Sequence, residues 1–112
     1  MADSIFEKII RHEIPAEILY EDEQVIAIKD INPAAPIHFL VIPKHKITDL
    51  TDINSKTVSL LGACLDTGRR LMAELQMADF RVVINTGEKA GQTVPHLHLH
   101  FLAGRSFTWP PG

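Results

Sequence analysis

The chain has 112 residues, enough for one domain and too few for two independent hydrophobic cores. Hydrophobic residues make up 46% and charged residues 22% of it, which predicts a folded protein. Eleven Lys and Arg against fourteen Asp and Glu give a net charge of -3, without a basic stripe for nucleic acid. No apolar run reaches the roughly 18 residues of a membrane span, and the single cysteine, Cys64, excludes an internal disulfide. We therefore expect one cytoplasmic domain, residues 1–112, with no nucleic-acid or membrane partner.

The first part of the chain predicts a short helix and then three strands. Ser4 and Glu7 have the spacing of a capping box, and the apolar residues that follow recur at helical spacing until Pro15. Three β-favouring segments come next, at residues 18–20, 25–28 and 37–42. Two prolines in the connection 30–36 prevent regular strand pairing, so we expect a loop of fixed shape there.

The second part of the chain predicts one long helix and two strands. Apolar residues follow the i, i+3, i+4, i+7 rule between Ser55 and Gln76. Gly62 and Gly68 interrupt this helix at a cost of about 1 kcal/mol each relative to Ala, which indicates either close packing or a weak point. The last two strands are predicted at residues 80–85 and 96–102. Because most neighbouring strands have no helix between them, we predict an α+β fold: a five-stranded antiparallel sheet with a short N-terminal helix and a long helix on one side.

Three of the six histidines lie within five residues, as His96, His98 and His100. On a strand, side chains at alternate positions point to the same face. The three imidazoles would then share one face, while the apolar residues between them point to the other face. A helix would scatter the same positions around its axis, so the strand and the shared face are a single prediction.

Three interpretations of the histidine cluster are open. It could be the polar face of an edge strand, although such faces usually mix Lys, Thr and Glu. It could bind zinc through two of its histidines and a remote ligand such as His38; the outer two Cα atoms, ~13 Å apart, are too distant for all three to share one ion. It could also be catalytic, because neighbouring imidazoles cannot all be protonated and their pKa values separate around neutrality. The central His98 is then the natural nucleophile towards phosphorus, and His100 can neutralise charge on the phosphate oxygens.

The loop before the histidines has the composition of an anion-binding loop. Gly91 permits close backbone approach, and Gln92 and Thr93 offer amide and hydroxyl donors. An ordinary hairpin loop is an equally good interpretation of these residues alone. The glycine patterns of Walker and Rossmann phosphate sites are not found in the sequence.

Residues 96–102 read His-Leu-His-Leu-His-Phe-Leu and match the full signature of the histidine triad (HIT) superfamily. The chain is also similar to the Hint branch of that superfamily, nucleotide-binding phosphoramidases, in segments 5–11, 13–15, 30–33, 38–44 and 109–112. The resemblance implies a homodimer in which two five-stranded sheets form one ten-stranded sheet. It also implies hydrolysis of purine nucleoside 5′-phosphoramidates, such as AMP linked to an amine, through a nucleotidyl-histidine intermediate and without a metal or other cofactor.

The resemblance implies catalytic and phosphate-binding roles for particular residues. His98 is similar to the family nucleophile, with the carbonyl group of His96 orienting its ring and His38 completing the proton network. His100 would contact the α-phosphate. The other implied phosphate contacts come from Asn85, Thr93 and the backbone around Gly91 and Gln92.

The remaining implied roles concern the nucleoside and the leaving group. Asp30 would accept hydrogen bonds from the ribose hydroxyls, although an Asp before Asn-Pro is also typical of a turn. Trp109, in the C-terminal tail, would lie near the leaving-group site of the partner subunit. The purine pocket would be formed by Phe6, Ile9, Ile28, Ile31 and Leu40. Ile28 stands where relatives often have an aromatic residue, so aliphatic contact would replace stacking on the base.

Other functions are compatible with the same residues. One is a nucleotide-binding regulatory or scaffold dimer whose hydrolysis is incidental, and another is a dinucleoside polyphosphate hydrolase. The nucleotidyltransferase branch is disfavoured, because its third triad position is typically Gln and is here His100.

Overall fold

The computed structural model describes residues 3–112, and its five strands form one antiparallel sheet in the order β1-β2-β3-β5-β4. The elements in chain order are α1 (Ile5–Ile10), β1 (Ile18–Glu21), β2 (Val25–Lys29), β3 (Ile37–Pro43), α2 (Val58–Glu74), β4 (Phe80–Val83) and β5 (Leu99–Ala103). Two short 3-10 turns occupy Leu50–Asp52 and Glu88–Ala90. The α+β fold with a five-stranded antiparallel sheet, a short helix and a long helix is confirmed.

The two helices cover opposite faces of the sheet. In β2, Val25 and Ala27 pack in the cluster that contains residues of α2, whereas Ile26 and Ile28 pack in the cluster that contains Phe6 and Ile9 of α1. The prediction that both helices lie on one side is therefore wrong. The central strands are buried on both faces, which explains why β2 and β3 are continuous apolar runs instead of alternating ones.

Helix α1 has only six residues and depends on its contacts with the sheet. The predicted capping box is present: Ser4 Oγ accepts from the Glu7 backbone N–H, and Glu7 Oε1 accepts from the Ser4 backbone N–H, both at 3.1 Å. A helix of this length is not stable alone in water. Burial of Phe6 and Ile9 against the sheet, each 6% exposed, is therefore what holds it.

Strand β5 begins three residues later than predicted. The strand was expected from His96, but regular pairing starts at Leu99, opposite Val41 of β3. The pairing stops there because β3 ends at Pro43, which has no N–H to donate. The Pro43 carbonyl instead accepts from the His96 side chain, and the Leu97 N–H donates to Ile47 beyond the strand.

The other boundary differences have simple causes. Helix α2 begins at Val58 instead of Ser55, because the side chains of Asn54 and Thr57 bond to backbone N–H groups of the preceding turn. It ends at Glu74, two residues before the predicted end. Strand β4 ends at Val83, which pairs with His100, and not at the predicted residue 85. Within residues 3–112, neither helix combines the length and hydropathy required to cross a membrane.

The two glycines of α2 have different surroundings, and this generates a stability prediction. A Cβ on Gly68 would lie 2.0 Å from Cζ of Phe101, a buried ring stacked on Phe39, whereas a Cβ on Gly62 would have nothing within 4 Å. We expect Gly68→Ala to lower the free energy of unfolding by about 1–3 kcal/mol through overpacking. Gly62→Ala is the matched control, and should raise it by up to about 1 kcal/mol through helix propensity. Chemical denaturation measures both; a Gly68→Ala protein as stable as wild type would contradict the packing argument.

Candidate active site

A cavity of about 340 Å³ lies between α1 and the sheet. Its polar side contains Asp30, Thr93, His98 and His100. Its apolar side contains Ile5, Phe6, Ile9, Ile14, Ile28, Ile31, Leu40 and Val94. All five residues predicted for the purine pocket therefore line one cavity together with two histidines of the triad. Ile31 is 87% exposed, which places it at the mouth.

The hydrogen bond of His98 determines which of its ring nitrogens carries the proton. His98 Nδ1 lies 2.8 Å from the carbonyl oxygen of His96. A carbonyl only accepts, so Nδ1 must be the N–H, and the neutral ring has its lone pair on Nε2. The ring is 6% exposed and meets the edge of Phe6 with a centroid separation of 4.9 Å. Residue 98 thus brings an unprotonated nitrogen to a largely apolar cavity.

His38 and His100 form a second directed pair. The Ala34 backbone N–H donates to His38 Nδ1 at 3.0 Å, so the proton of neutral His38 is on Nε2. That nitrogen lies 2.9 Å from His100 Nδ1, which must accept. The neutral His100 ring then carries its proton on Nε2. Asp30 Oδ2 lies 3.4 Å from His38 Nε2 and is positioned to stabilise positive charge on the pair.

His96 is separate from this network. Its ring is fully buried, and Nε2 donates to the Pro43 carbonyl at 2.8 Å. Its Nδ1 is buried without a hydrogen-bond partner. The side chain therefore anchors the triad segment to the end of β3, and the backbone carbonyl of His96 is the group that contacts His98.

The four histidines of the site, His38, His96, His98 and His100, all have a pKa below the ordinary value, and burial is the main cause. Desolvation lowers the pKa of His96, His98 and His38, and the charge of Asp30 partly offsets this for His38 and His98. The pKa of His100 falls to about 4, because the positive forms of His98 and His38 add repulsion to desolvation. These imidazoles are neutral at pH 7, so the tautomers above describe the resting site.

The predicted phosphate-binding residues are only partly brought to the cavity. Gly91 has a left-handed φ of 96° and lies beside Asn85, but neither lines the cavity of the triad. Gln92 and Thr93 line a neighbouring groove of about 540 Å³ with Gly87. Thr93 lines both spaces and is thus the junction between them.

Trp109 lies apart from the other predicted site residues. It is 83% exposed and lines none of the cavities described above. Conversely, Ile14 and Val94 line the triad cavity and Pro43 holds His96, and none of the three is among the residues predicted from the sequence. Ile14 and Pro43 lie in segments that resemble the Hint branch, and this resemblance is the sequence signal that could have identified them.

Comparison with known proteins places the chain in a family. The family model described as "Scavenger mRNA decapping enzyme C-term binding" matches residues 3–108. An uncharacterized HIT-like protein of Synechocystis is 52% identical, covering 98% of this chain and 97% of its own. The 14 kDa zinc-binding protein of Zea mays is 45% identical, covering 97% of this chain and 88% of its own. The crystal structure of a HIT family hydrolase from Legionella pneumophila has a TM-score of 0.94 and 41% identity, covering 98% of this chain and 100% of that one.

The chain belongs to the histidine triad superfamily, and within it to the family whose model matches residues 3–108. Its similarity to a HIT family hydrolase over 98% of this chain and 100% of that one supports a hydrolase.

The lowered histidine pKa values predict how stability depends on pH. A group whose pKa is lower in the folded state binds more protons when unfolded, so its contribution is present above about pH 6.5 and is lost below it. We expect the free energy of unfolding, measured in denaturant, to fall between pH 7 and pH 5. His96→Gln, whose amide can still reach the Pro43 carbonyl, should flatten this dependence. His45→Gln, at an exposed position, should not. Equal stability of the wild-type protein at pH 7 and pH 5 would contradict the burial argument.

Proposed function

We propose that this protein is a nucleoside phosphoramidase of the Hint branch that hydrolyses the P–N bond of purine nucleoside 5′-phosphoramidates. The observation that carries the proposal is the bond from His98 Nδ1 to the His96 carbonyl, which leaves Nε2 free to attack phosphorus. In this proposal, residues 1–112 form the single domain that carries the activity.

The proposed reaction has two displacements. His98 Nε2 attacks phosphorus, the P–N bond breaks, and the nucleotidyl group remains on the ring. Binding of the anionic substrate brings one proton from solvent to the neutral His38–His100 pair, and the departing nitrogen takes that proton. Water then attacks phosphorus, its proton returns to the pair, and the nucleotide leaves a neutral His98. The pair can hold this proton because a bound anionic phosphate, together with Asp30, raises its proton affinity.

The nucleoside would occupy the apolar side of the triad cavity. Phe6, Ile9, Ile28 and Leu40 are buried and line it, and Ile31 lies at its mouth. Their contacts with a base are aliphatic, apart from Phe6. This supports a flat purine held by shape and burial more than by edge recognition.

The ribose and the phosphate of the nucleotide would each meet polar residues of the site. The ribose hydroxyls would meet Asp30, whose Oδ1 already accepts from the Asn32 N–H at 2.8 Å and is thereby held in place. Thr93 and His100 would contact the phosphate. The backbone around Gly91 and Gln92, with Asn85 beside it, would contribute the other implied contacts.

A homodimer with a continuous ten-stranded sheet is part of the proposal. Strand β4 is at the edge of the sheet, and its residues Phe80 and Val82 are 38% and 36% exposed. Val58 and Leu65 on α2 are also apolar and exposed. Trp109 of one subunit would then serve the leaving-group side of the partner's site.

Hydrolysis of dinucleoside polyphosphates is the second candidate. The description of the matching family model refers to a decapping enzyme, and that activity is the activity of the named enzyme. The triad cavity, at about 340 Å³, is sized for one nucleoside, and the adjoining groove would have to take the second. The relative rates on a phosphoramidate and a dinucleoside polyphosphate distinguish the two activities. A regulatory or scaffold role would be indicated if AMP changed the affinity for a protein partner without any turnover.

The nucleophile assignment predicts the behaviour of His98→Ala. Turnover of adenosine 5′-phosphoramidate should fall on the order of a thousandfold or more, since the unprotonated Nδ1 of His100, the other triad histidine that lines the cavity, is already bonded to His38. AMP binding should remain measurable by calorimetry. His45→Ala, an exposed histidine outside the site, is the matched control and should keep wild-type rates. Mass spectrometry of quenched wild-type turnover should find a nucleotidyl group on residue 98; near wild-type activity in His98→Ala would refute the mechanism.

The site also predicts a response to zinc. Asp30, His38 and His100 each offer a ligand atom, and these atoms lie within 4.8 Å of one another, an arrangement that fits a Zn²⁺ ion. An ion bound there would occupy the nitrogens that the proposed reaction uses for protons. We therefore expect added Zn²⁺ to inhibit hydrolysis and a chelator to leave it intact. Asp30→Asn should weaken inhibition; loss of activity in chelator would contradict metal-independent chemistry.

A further inference from the structure

The side chain of Gln92 is fully occupied by the backbone around it. Its Nε2 donates to the Thr48 carbonyl at 2.7 Å and to the Val94 carbonyl at 3.1 Å. Its Oε1 accepts from the Gly87 N–H at 2.9 Å. Both amide hydrogens and the amide oxygen are thus used, and the side chain has no donor left for a phosphate.

These bonds close the loop that precedes the triad. The Gln92 backbone N–H also donates to the Gly87 carbonyl, at 3.1 Å, so the two residues are joined by a reciprocal pair of bonds. The residues between them form one short 3-10 turn and are exposed. An exposed loop with left-handed glycines at both ends depends on hydrogen bonds to fix its shape. Gln92 supplies that restraint.

The same bonds fix the position of the loop relative to the triad. Three donors from the segment that leads into β5 bond to the end of β3 and the segment after it: Gln92 Nε2 to Thr48, the Leu97 N–H to Ile47 and His96 Nε2 to Pro43. The loop is therefore held relative to the segment that also holds His98. Preorganised groups of this kind stabilise a bound phosphate without an ordering cost at the time of binding.

We propose that Gln92 is a positioning residue that sets the affinity of the site for the phosphate group and not for the nucleoside. Its side chain holds the backbone at Gly91 and the hydroxyl of Thr93 where a phosphate would meet them, and does not touch the phosphate itself. The inference rests on the proposed function, since it takes the triad cavity as a nucleotide site.

The test compares ligands with and without a phosphate. Gln92→Leu removes all three side-chain bonds and adds no charge. We expect it to weaken AMP binding by about tenfold or more while adenosine affinity stays within about twofold of wild type, both by calorimetry. For adenosine 5′-phosphoramidate, kcat/KM should fall with AMP affinity. Gln24→Leu, the same substitution at an exposed turn residue, should change neither affinity.

A second variant keeps the test decisive if Gln92→Leu does not fold. Gln92→Asn keeps the polar group but is one methylene too short to span from Gly87 to Thr48, and it should show the same selective loss. Wild-type AMP affinity in either folded variant would overturn the proposal, as would equal weakening of AMP and adenosine. Failure of both variants to unfold cooperatively would also overturn it, by making Gln92 a determinant of folding. If wild-type protein binds AMP well above adenosine but does not hydrolyse the phosphoramidate, the proposed function fails and the role of Gln92 stands.

Discussion

The site depends on the direction of a few hydrogen bonds between buried imidazoles and backbone groups. A carbonyl can only accept and an amide N–H can only donate, so each bond assigns the proton of one ring. The His96 carbonyl assigns His98, and the Ala34 N–H assigns His38 and, through it, His100. Burial then keeps the rings neutral by lowering each pKa. Neither effect alone would produce a free lone pair on one histidine and a donor on its neighbour.

The double burial of the sheet is what makes this arrangement possible. Alternate residues of β2 and β3 pack against α2 on one face and α1 on the other, so the face that carries the histidines is largely shielded from water. On the other face, helix α2 packs Cys64, Leu71 and Met72 against the sheet, with Gly68 allowing Phe101 to lie against the helix backbone. Helix α1 leaves space beside it, and this space is the triad cavity. One strand thus has a structural face and a chemical face.

Much of this was accessible from the sequence, for identifiable reasons. The alternation of the histidines predicted a common face for His98 and His100, which both line the cavity. Most of the apolar residues that line it, though not Ile28 and Val94, lie in the resembling segments. The position of α1 was not predictable from patterns, because a continuous apolar run such as 37–42 does not say which helix covers which face. The start of β5 was missed because it depends on Pro43, a residue distant in sequence from His96. For the same reason the occupied amide of Gln92 could not be distinguished from a free donor.

The depressed basicity of the triad originates partly at the other end of the chain. Phe6 meets the edges of both His96 and His98, and it belongs to a helix of two turns at most, anchored by two apolar side chains. Without that helix, water would reach the rings and their proton affinity would return towards that of free imidazole. Residues 4–10 therefore exclude water from this part of the triad, and their contact with the sheet helps to keep the imidazole of residue 98 neutral.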